Sequence, residues 1–385
     1  MVWDRELYIS EVLRQLTDEQ HYVQLNGPSM VNDTKRIASV INDEISSGSL
    51  PPTAKHLRVT RPRQSVFYVL PKIHKAGTPG RPIVSACSCP TEHLSTYLDS
   101  IFQPIVQSLP SYIKDSTDAL LQIDSINSSD AFTPSFLMSM DVTALYTNIP
   151  HADGLLALRH FLDARPSPIP PTDTLLRLTE LVLSLNTFAF RGQFFQQSRG
   201  VAMGTKMGPS YACLFMGHLE DQLKRAYSGR FPEFFGRYID DCLLISSLSH
   251  QELLDFVDFA NNFHSTIKFT FEISPSEISF LDIRILLSNG LLSTSIFYKA
   301  TDSHSYLHYD SSHSRSTKDS IPYSQFLRLR RICSDEKDFD SQASSMSSFF
   351  TCRQYPSQVV KKGLQRAKSI PRVSALQASR TPDND

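Results

Sequence analysis

The sequence predicts an α+β fold with an antiparallel sheet at its centre. Three patterns lead there. Short apolar runs recur through the middle of the chain, stripes with helical spacing separate them, and one pair of runs closes on a tight acidic turn. With 385 residues, 41% of them hydrophobic, the chain can pack a core divided into two or three sub-domains.

The elements follow in order. Up to about residue 45 the chain reads as helices, because Leu7, Val12, Leu13 and Leu16 recur at helical spacing, as do Ile37, Ile41 and Ile45. Pro51-Pro52 ends that region. Residues 65–70 read as a strand halted by Pro71, Thr78-Pro79-Gly80 as a turn, and 81–85 as the second strand of a hairpin. Residues 136–140 form a strand leading into Asp141. Residues 155–162 and 175–185 read as helices on either side of a proline-rich loop at 166–171. The runs 234–239 and 242–245 are apolar strands around Asp240-Asp241, which places two carboxylates at a hairpin tip. Leu253, Phe256, Val257, Ala260 and Phe263 form a helical stripe. Ile267, Phe269, Phe271 and Ile273 alternate with polar residues, as in a half-buried strand, and strands continue over 278–287 and 291–298. The last residues, 373–385, read as a disordered tail.

No apolar run approaches the roughly 18 residues of a membrane span. The start, Met1-Val2-Trp3-Asp4-Arg5-Glu6, is charged at once and does not resemble a secretion signal. The six cysteines contain no CxxC pair, so they read as buried thiols in a reducing compartment, nucleus or cytoplasm. The net charge of −1 conceals strong local bias. Residues 51–91 contain no acid but carry Lys55, Arg58, Arg61, Arg63, Lys72, Lys75 and Arg81. Residues 353–380 are also acid-free, with Lys361, Lys362, Arg366, Lys368 and Arg372 among their cations. Basic segments flanking an acidic centre suit a protein that grips phosphates and does metal chemistry between the grips.

Asp240-Asp241 is the centre of the argument. Two adjacent acids between apolar strands are costly unless a cation binds them. A bare Asp-Asp dipeptide is most simply an exposed turn, but this pair follows Tyr238-Ile239, and a third acid, Asp141, ends an apolar strand of its own. Two strand-borne acidic sites can converge in a sheet and hold two Mg²⁺ ions about 4 Å apart.

These residues carry a resemblance to reverse transcriptases. Tyr238-Ile-Asp-Asp241 resembles their motif C, and Asp141-Val-Thr-Ala-Leu-Tyr146 their motif A. Leu70-Pro-Lys72 and Gly80-Arg-Pro-Ile-Val-Ser85 resemble the fingers motifs. Residues 199–210 resemble motif B, and Phe280-Leu-Asp-Ile283 the block after motif D. Penelope-like retroelements are the most similar, through Leu145-Tyr-Thr-Asn-Ile-Pro150, Met203-Gly-Thr-Lys-Met-Gly208 and the stretch 306–334. The chain departs from that family at His313-Ser314, where members read His-Pro, and at Arg353-Gln354, where they read Arg-Gly. It also shows nothing like the GIY-YIG endonuclease of many members, so the chain is expected to polymerise without cutting its own target.

The resemblance implies a right-hand polymerase with an antiparallel palm sheet. A helical extension would occupy 1–59, fingers 60–135, palm 136–298 and thumb 299–372. It implies an RNA template, a DNA primer and dNTPs as partners, with no membrane. Asp141, Asp240 and Asp241 would be the catalytic metal ligands for two Mg²⁺ ions, with Mn²⁺ as a substitute. Arg81 and Lys72 would meet the triphosphate, Tyr146 the sugar, and Gly204 the nucleotide and template base. Lys268 is a candidate general acid, or else an exposed strand lysine. His304, His308 and His313 suit a thumb surface better than zinc, and Asp282 reads as structural. Two other readings stay open: an RNA-dependent RNA polymerase, and a non-catalytic nucleic-acid-binding remnant. An aromatic residue at 146 argues against the first, and the three intact acids against the second. Oligomeric state is open.

Overall fold

The computed structural model describes residues 3–73, 75, 77–129 and 131–377. In its first part the elements are α1 (Arg5–Leu16), β1 (Tyr22–Leu25), α2 (Met30–Ser46), a 3-10 turn (Pro52–Leu57), β2 (Ser65–Pro71), β3 (Gly80–Val84), α3 (Glu92–Val106) and α4 (Ser116–Asn127). The middle holds β4 (Phe136–Val142), α5 (Leu145–Asn148), α6 (His151–Asp163), α7 (Thr172–Ser184), β5 (Thr187–Phe190), β6 (Gln193–Gln197) and α8 (Gly208–Ala226). Then come β7 (Phe234–Tyr238), β8 (Asp241–Ser246), α9 (His250–Phe263), β9 (Phe269–Ser274), β10 (Glu277–Phe280), β11 (Ile283–Ser288) and β12 (Leu291–Ile296). Four helices follow: α10 (Arg315–Ile332), α11 (Glu336–Cys352), α12 (Ser357–Lys368) and α13 (Arg372–Gln377). No helix among the described residues is long and apolar enough to cross a membrane.

The mixed α+β composition is as the sequence predicts. Three short strands were not expected. β1, β5 and β6 join the 65–84 hairpin in a five-stranded sheet ordered β1-β6-β5-β2-β3. At the tail, residues 373–377 are helix rather than disordered, because Ala375 and Leu376 are buried. Residues 378–385 of that expected tail lie outside the described residues.

The chain divides into two interleaved units. The first comprises residues 1–112, 142–228 and 258–269. Its five-stranded sheet is held by aromatic packing: Phe67 stacks on Phe188 at 5.2 Å, and Tyr22 meets both edge-on at 5.9 Å. Such pairs add to the stabilisation from burying the rings themselves. α8 packs against α3 and α6. The Gly217 backbone approaches Leu109 so closely that a Cβ would sit 2.8 Å from its side chain.

The second unit comprises residues 113–141, 229–257 and 270–385. It holds the four-stranded sheet β7-β8-β4-β9 and the three-stranded sheet β10-β11-β12. The central strand β8 is buried on both faces over Cys242, Leu243, Leu244 and Ile245, so its sequence is a continuous apolar run rather than an alternation. Leu137, Leu243 and Ile245 share one core with Ile283 and Ile285 and with Phe326 and Phe350 of α10 and α11. Asp282 is structural here: Arg328 holds it through two nitrogens at 2.6 and 2.9 Å, and the Ser116 hydroxyl donates to its other oxygen.

Among the described residues of this unit, five that are not glycine sit in the left-handed region: Ile239, Leu281, Asn289, His304 and Gln354. Ile239, in the β7–β8 turn, has φ +58°. A β-branched residue there is a genuine outlier, and its surroundings must hold it. Arg237 does so: only 2% exposed, it donates from Nη1 to the Ile239 carbonyl at 3.1 Å. Gln354, between α11 and α12, has φ +62°.

Two outcomes follow. Arg237→Met removes a charge-assisted hydrogen bond to the turn and lowers unfolding free energy by about 2 kcal/mol, read by urea denaturation. An unchanged midpoint would show that the turn holds itself. Gln354→Gly relieves the left-handed penalty and raises stability by about 1 kcal/mol in the same assay. A loss would mean that the Gln354 side chain contributes more than its backbone costs.

Candidate active site

The acids come together through strand register. β4 and β8 pair antiparallel, with Phe136 opposite Ser246 and Asp141 opposite Asp241. β7 and β8 pair so that Tyr238 lies opposite Asp241, leaving Ile239 and Asp240 as the turn. Three half-buried carboxylates therefore gather at one end of the β7-β8-β4 ladder. Their proximity is electrostatically visible. Burial pushes the Asp241 carboxyl up, the charges of Asp240 and Asp141 push it further, and Lys299 opposes them, leaving it at about 6. A cavity of 270 Å³ opens beside Asp141 and Asp241, walled by Thr270, Phe271 and Glu272 of β9 and by 279–281. Phe271 is exposed in this wall, against the alternation that placed it inward.

The first unit carries a second concavity of 430 Å³. Arg81 and Ile83 of β3, Tyr146 of α5 and the loop 202–206 line it, so the structure brings Arg81, Tyr146 and Gly204 together. Lys72 is not in this wall. It lies half-buried at the far end of the β2–β3 hairpin, where its backbone N–H donates to Pro79 at 2.9 Å. Lys206, which sequence reasoning did not single out, is exposed in the same pocket and adds a cation to that of Arg81. Its signal was present in Met203-Gly-Thr-Lys206 but could not be separated from a surface lysine.

Gly204 owes its identity to the backbone. Its φ is +122°, and a Cβ would stand 2.2 Å from the Val84 carbonyl oxygen. The Val84 N–H donates to the Met203 carbonyl at 2.8 Å, which fastens this loop to the end of β3. Gly200 works similarly, since a Cβ there would lie 2.1 Å from the Tyr146 carbonyl oxygen, to which Val201 N–H donates at 2.7 Å. The Tyr146 ring edge packs near Gly208, 3.8 Å from where a Cβ would be. Tyr146 is thus held by its backbone and beside its ring.

Other candidates resolve differently. Lys268 precedes β9 rather than lying in it, and its ammonium donates to the carbonyls of Asn261 and His264 just beyond α9. It caps a helix end, where a cation is favoured. His304 stacks on Phe349 at 3.8 Å, as part of an aromatic cluster. Arg61, Arg63, Lys75 and Arg81 of the 51–91 segment are exposed. In 353–380 several cations also have partners within the unit, although Arg366 and Lys368 remain exposed. Arg353 donates to the Tyr306 carbonyl, Arg366 lies over the Tyr323 ring, Lys368 pairs with Asp340 and Arg372 with Asp124.

Comparison with known proteins agrees with this architecture. No curated protein matches the chain. Among solved structures, telomerase from Candida albicans, determined with a fragment of telomeric RNA, is similar at a TM-score of 0.64 and 10% identity over 98% of this chain. Telomerase from Candida tropicalis, also with such a fragment, is similar at a TM-score of 0.50 and 11% identity over 89% of this chain. These likenesses are of fold. The chain spans 65% of the Candida albicans chain and 59% of the Candida tropicalis chain. Residues 305–365 match the family described as animal helix-turn-helix domain. Residues 73–305, well over half of the chain, match the family described as reverse transcriptase (RNA-dependent DNA polymerase), and the chain belongs to that family.

Proposed function

We propose that the chain is the catalytic core of a Penelope-like retroelement, an RNA-directed DNA polymerase that extends a primer 3′-hydroxyl with deoxynucleotides on an RNA template. The observation that carries the reading is the pairing of Asp141 with Asp241 beside Asp240 in a strained turn. The Penelope-like subtype rests on Leu145–Pro150, on Met203–Gly208 and on the stretch 306–334. In this reading 60–135 are fingers, 136–298 palm and 299–372 thumb, with 1–59 as a helical extension.

Asp141, Asp240 and Asp241 would hold Mg²⁺. Carboxylate oxygens are the donors that ion takes, and the burial and the neighbouring charges of Asp240 and Asp141 that lift Asp241 are what a divalent cation would offset. Among the described residues no three such side chains form a ready-made metal cage. Magnesium is ordinarily held by one or two carboxylates, with substrate phosphates completing its shell. When bound, two ions would neutralise the triphosphate and activate the primer hydroxyl, with Mn²⁺ able to replace them. The chain's own residues align and select. Arg81 and Lys206 offer cations to the triphosphate, Arg81 as a rigid fork of donors. Lys72 contributes a phosphate contact from the hairpin turn. By the resemblance Tyr146 would lie under the sugar of the incoming nucleotide, where its ring would exclude a ribose 2′-hydroxyl and favour deoxynucleotides. The chain supplies charge and alignment and no covalent nucleophile.

Two measurements test this. Asp240→Asn should lower primer extension roughly 100-fold or more while leaving template–primer affinity largely intact. Normal extension by this variant would refute the assignment of the acids. Tyr146→Ala should raise the ratio of kcat/KM for ribo- over deoxynucleotides by about 10- to 100-fold, the equivalent of relieving a steric clash of ~1–3 kcal/mol. An unchanged ratio in folded protein would remove the ground for preferring DNA synthesis over RNA synthesis.

A further inference from the structure

Helix α1 packs on the β2–β3 hairpin of its own unit, and its apolar stripe explains why. Val12 and Leu16 are buried, and Tyr8 and Ile9 pack against the same core, which includes Phe67, Val69 and Val84. That contact fixes the helix on the hairpin, so polar side chains beside the stripe reach the strands. The Tyr8 hydroxyl accepts from the Val69 N–H of β2 at 3.2 Å. Further along the helix, Glu11 and Gln15 meet β3.

β3 is the edge strand of its sheet. In an antiparallel pair, successive residues turn their backbone groups alternately to the partner strand and away from it. Val84 turns outward, since its N–H donates to Met203, and the same alternation turns Pro82 and Gly80 outward. Proline has no N–H to satisfy. Both polar groups of Gly80 are taken by α1. Its N–H donates to Glu11 Oε1 at 2.9 Å, and its carbonyl accepts from Gln15 Nε2 at 2.7 Å. Gln15 Nε2 also donates to that Glu11 oxygen at 2.7 Å, which closes a ring of three residues. Arg14 donates to the same carboxylate from Nε at 2.7 Å and Nη2 at 2.8 Å. The Arg14 guanidinium lowers the Glu11 carboxyl, burial opposes it, and the Gly80 N–H and the Gln15 amide lower it further, to about 2. A Cβ on Gly80 would stand 2.8 Å from the Val69 Cβ and 3.2 Å from Gln15 Nε2, so glycine admits the helix this closely.

Arg81 is the next residue. It lies opposite Leu70 in the ladder, and it is exposed in the wall of the 430 Å³ pocket with Tyr146 and Gly204. A binding group works only where its supporting residues hold it to within about 0.5 Å of the productive position. We propose that Glu11 and Gln15 are positioning residues for nucleotide binding, which clamp Gly80 and so aim Arg81 at the triphosphate. Neither side chain is in the pocket wall, so both act through Arg81 and not on the nucleotide. The inference rests on the reading of Arg81 as a triphosphate contact.

The test is steady-state primer extension by the full chain with the dNTP varied. R81A should raise KM roughly tenfold or more. E11A/Q15A should raise KM about tenfold, with kcat within about twofold and template–primer affinity unchanged. Adding E11A/Q15A to R81A should raise KM no further, because nothing is left to position. E11Q, whose amide oxygen can still accept from Gly80, should return KM most of the way from its E11A value. A helix that only stabilised the fold would instead lower kcat with the folded fraction, and its loss would add to that of R81A. If R81A leaves KM unchanged, the inference falls together with the reading of Arg81. If R81A raises KM and E11A/Q15A does not, or if the two effects multiply, the inference alone is overturned. Should the double variant unfold, Q15A by itself should raise KM about threefold through loss of the Gly80 carbonyl contact. An unchanged KM in Q15A would then overturn the inference.

Discussion

The register between β4 and β8 is the constraint on which the acidic site depends. Side chains alternate across a sheet with a period of two, so a slip of one residue would exchange the inward and outward faces of a strand. With Phe136 opposite Ser246, the count along both strands brings Asp141 opposite Asp241. Leu137, Leu243 and Ile245 fix that register by burial in the shared core. Hydrophobic packing thus pins the strands, and the pinned strands oblige carboxylates to sit together at their ends, where burial first and then the charges of Asp240 and Asp141 lift Asp241 to about 6. The cost is one of charge, and it is located where a cation would offset it.

The same unit tolerates backbone strain next to those charges. Ile239 is left-handed, and the buried guanidinium of Arg237 satisfies its carbonyl. Strain held by neighbouring hydrogen bonds often marks positions where side-chain placement matters more than local comfort. In the other unit the close approaches are relieved by residue choice instead. Gly200 and Gly204 allow backbone contacts with Tyr146 and Val84 that any Cβ would prevent, and those contacts hold the walls of the pocket containing Arg81 and Tyr146.

The strands around Asp141 and Asp240-Asp241, the 65–84 hairpin, the helices of 151–184 and the α9 stripe could all be read from periodicity and turn residues. The β5–β6 hairpin was legible in principle. Arg191-Gly192, both at positive φ, separates two phenylalanine-containing runs, but the glutamines of 193–197 mask the alternation. β1 had no such signal, because four residues of mixed polarity become a strand only by pairing with β6. Phe271 was misplaced for a related reason: alternation predicts two faces but not which face a neighbour covers.

The sequence by itself determined the chemistry available: three acids on apolar strands, a tyrosine five residues after the first, an acid-free basic segment and glycines in a loop. These are properties of residue type and local spacing, which need no partner to be read. Only the tertiary structure decided which charges are spent. Lys268 became a helix cap, and Arg353, Arg366, Lys368 and Arg372 found partners within the unit, while Lys206 entered the pocket and Lys361 and Lys362 stayed outward. The physical reason is that a long cationic side chain finds its partner across the fold rather than along the chain, so its role is set by packing at distant positions.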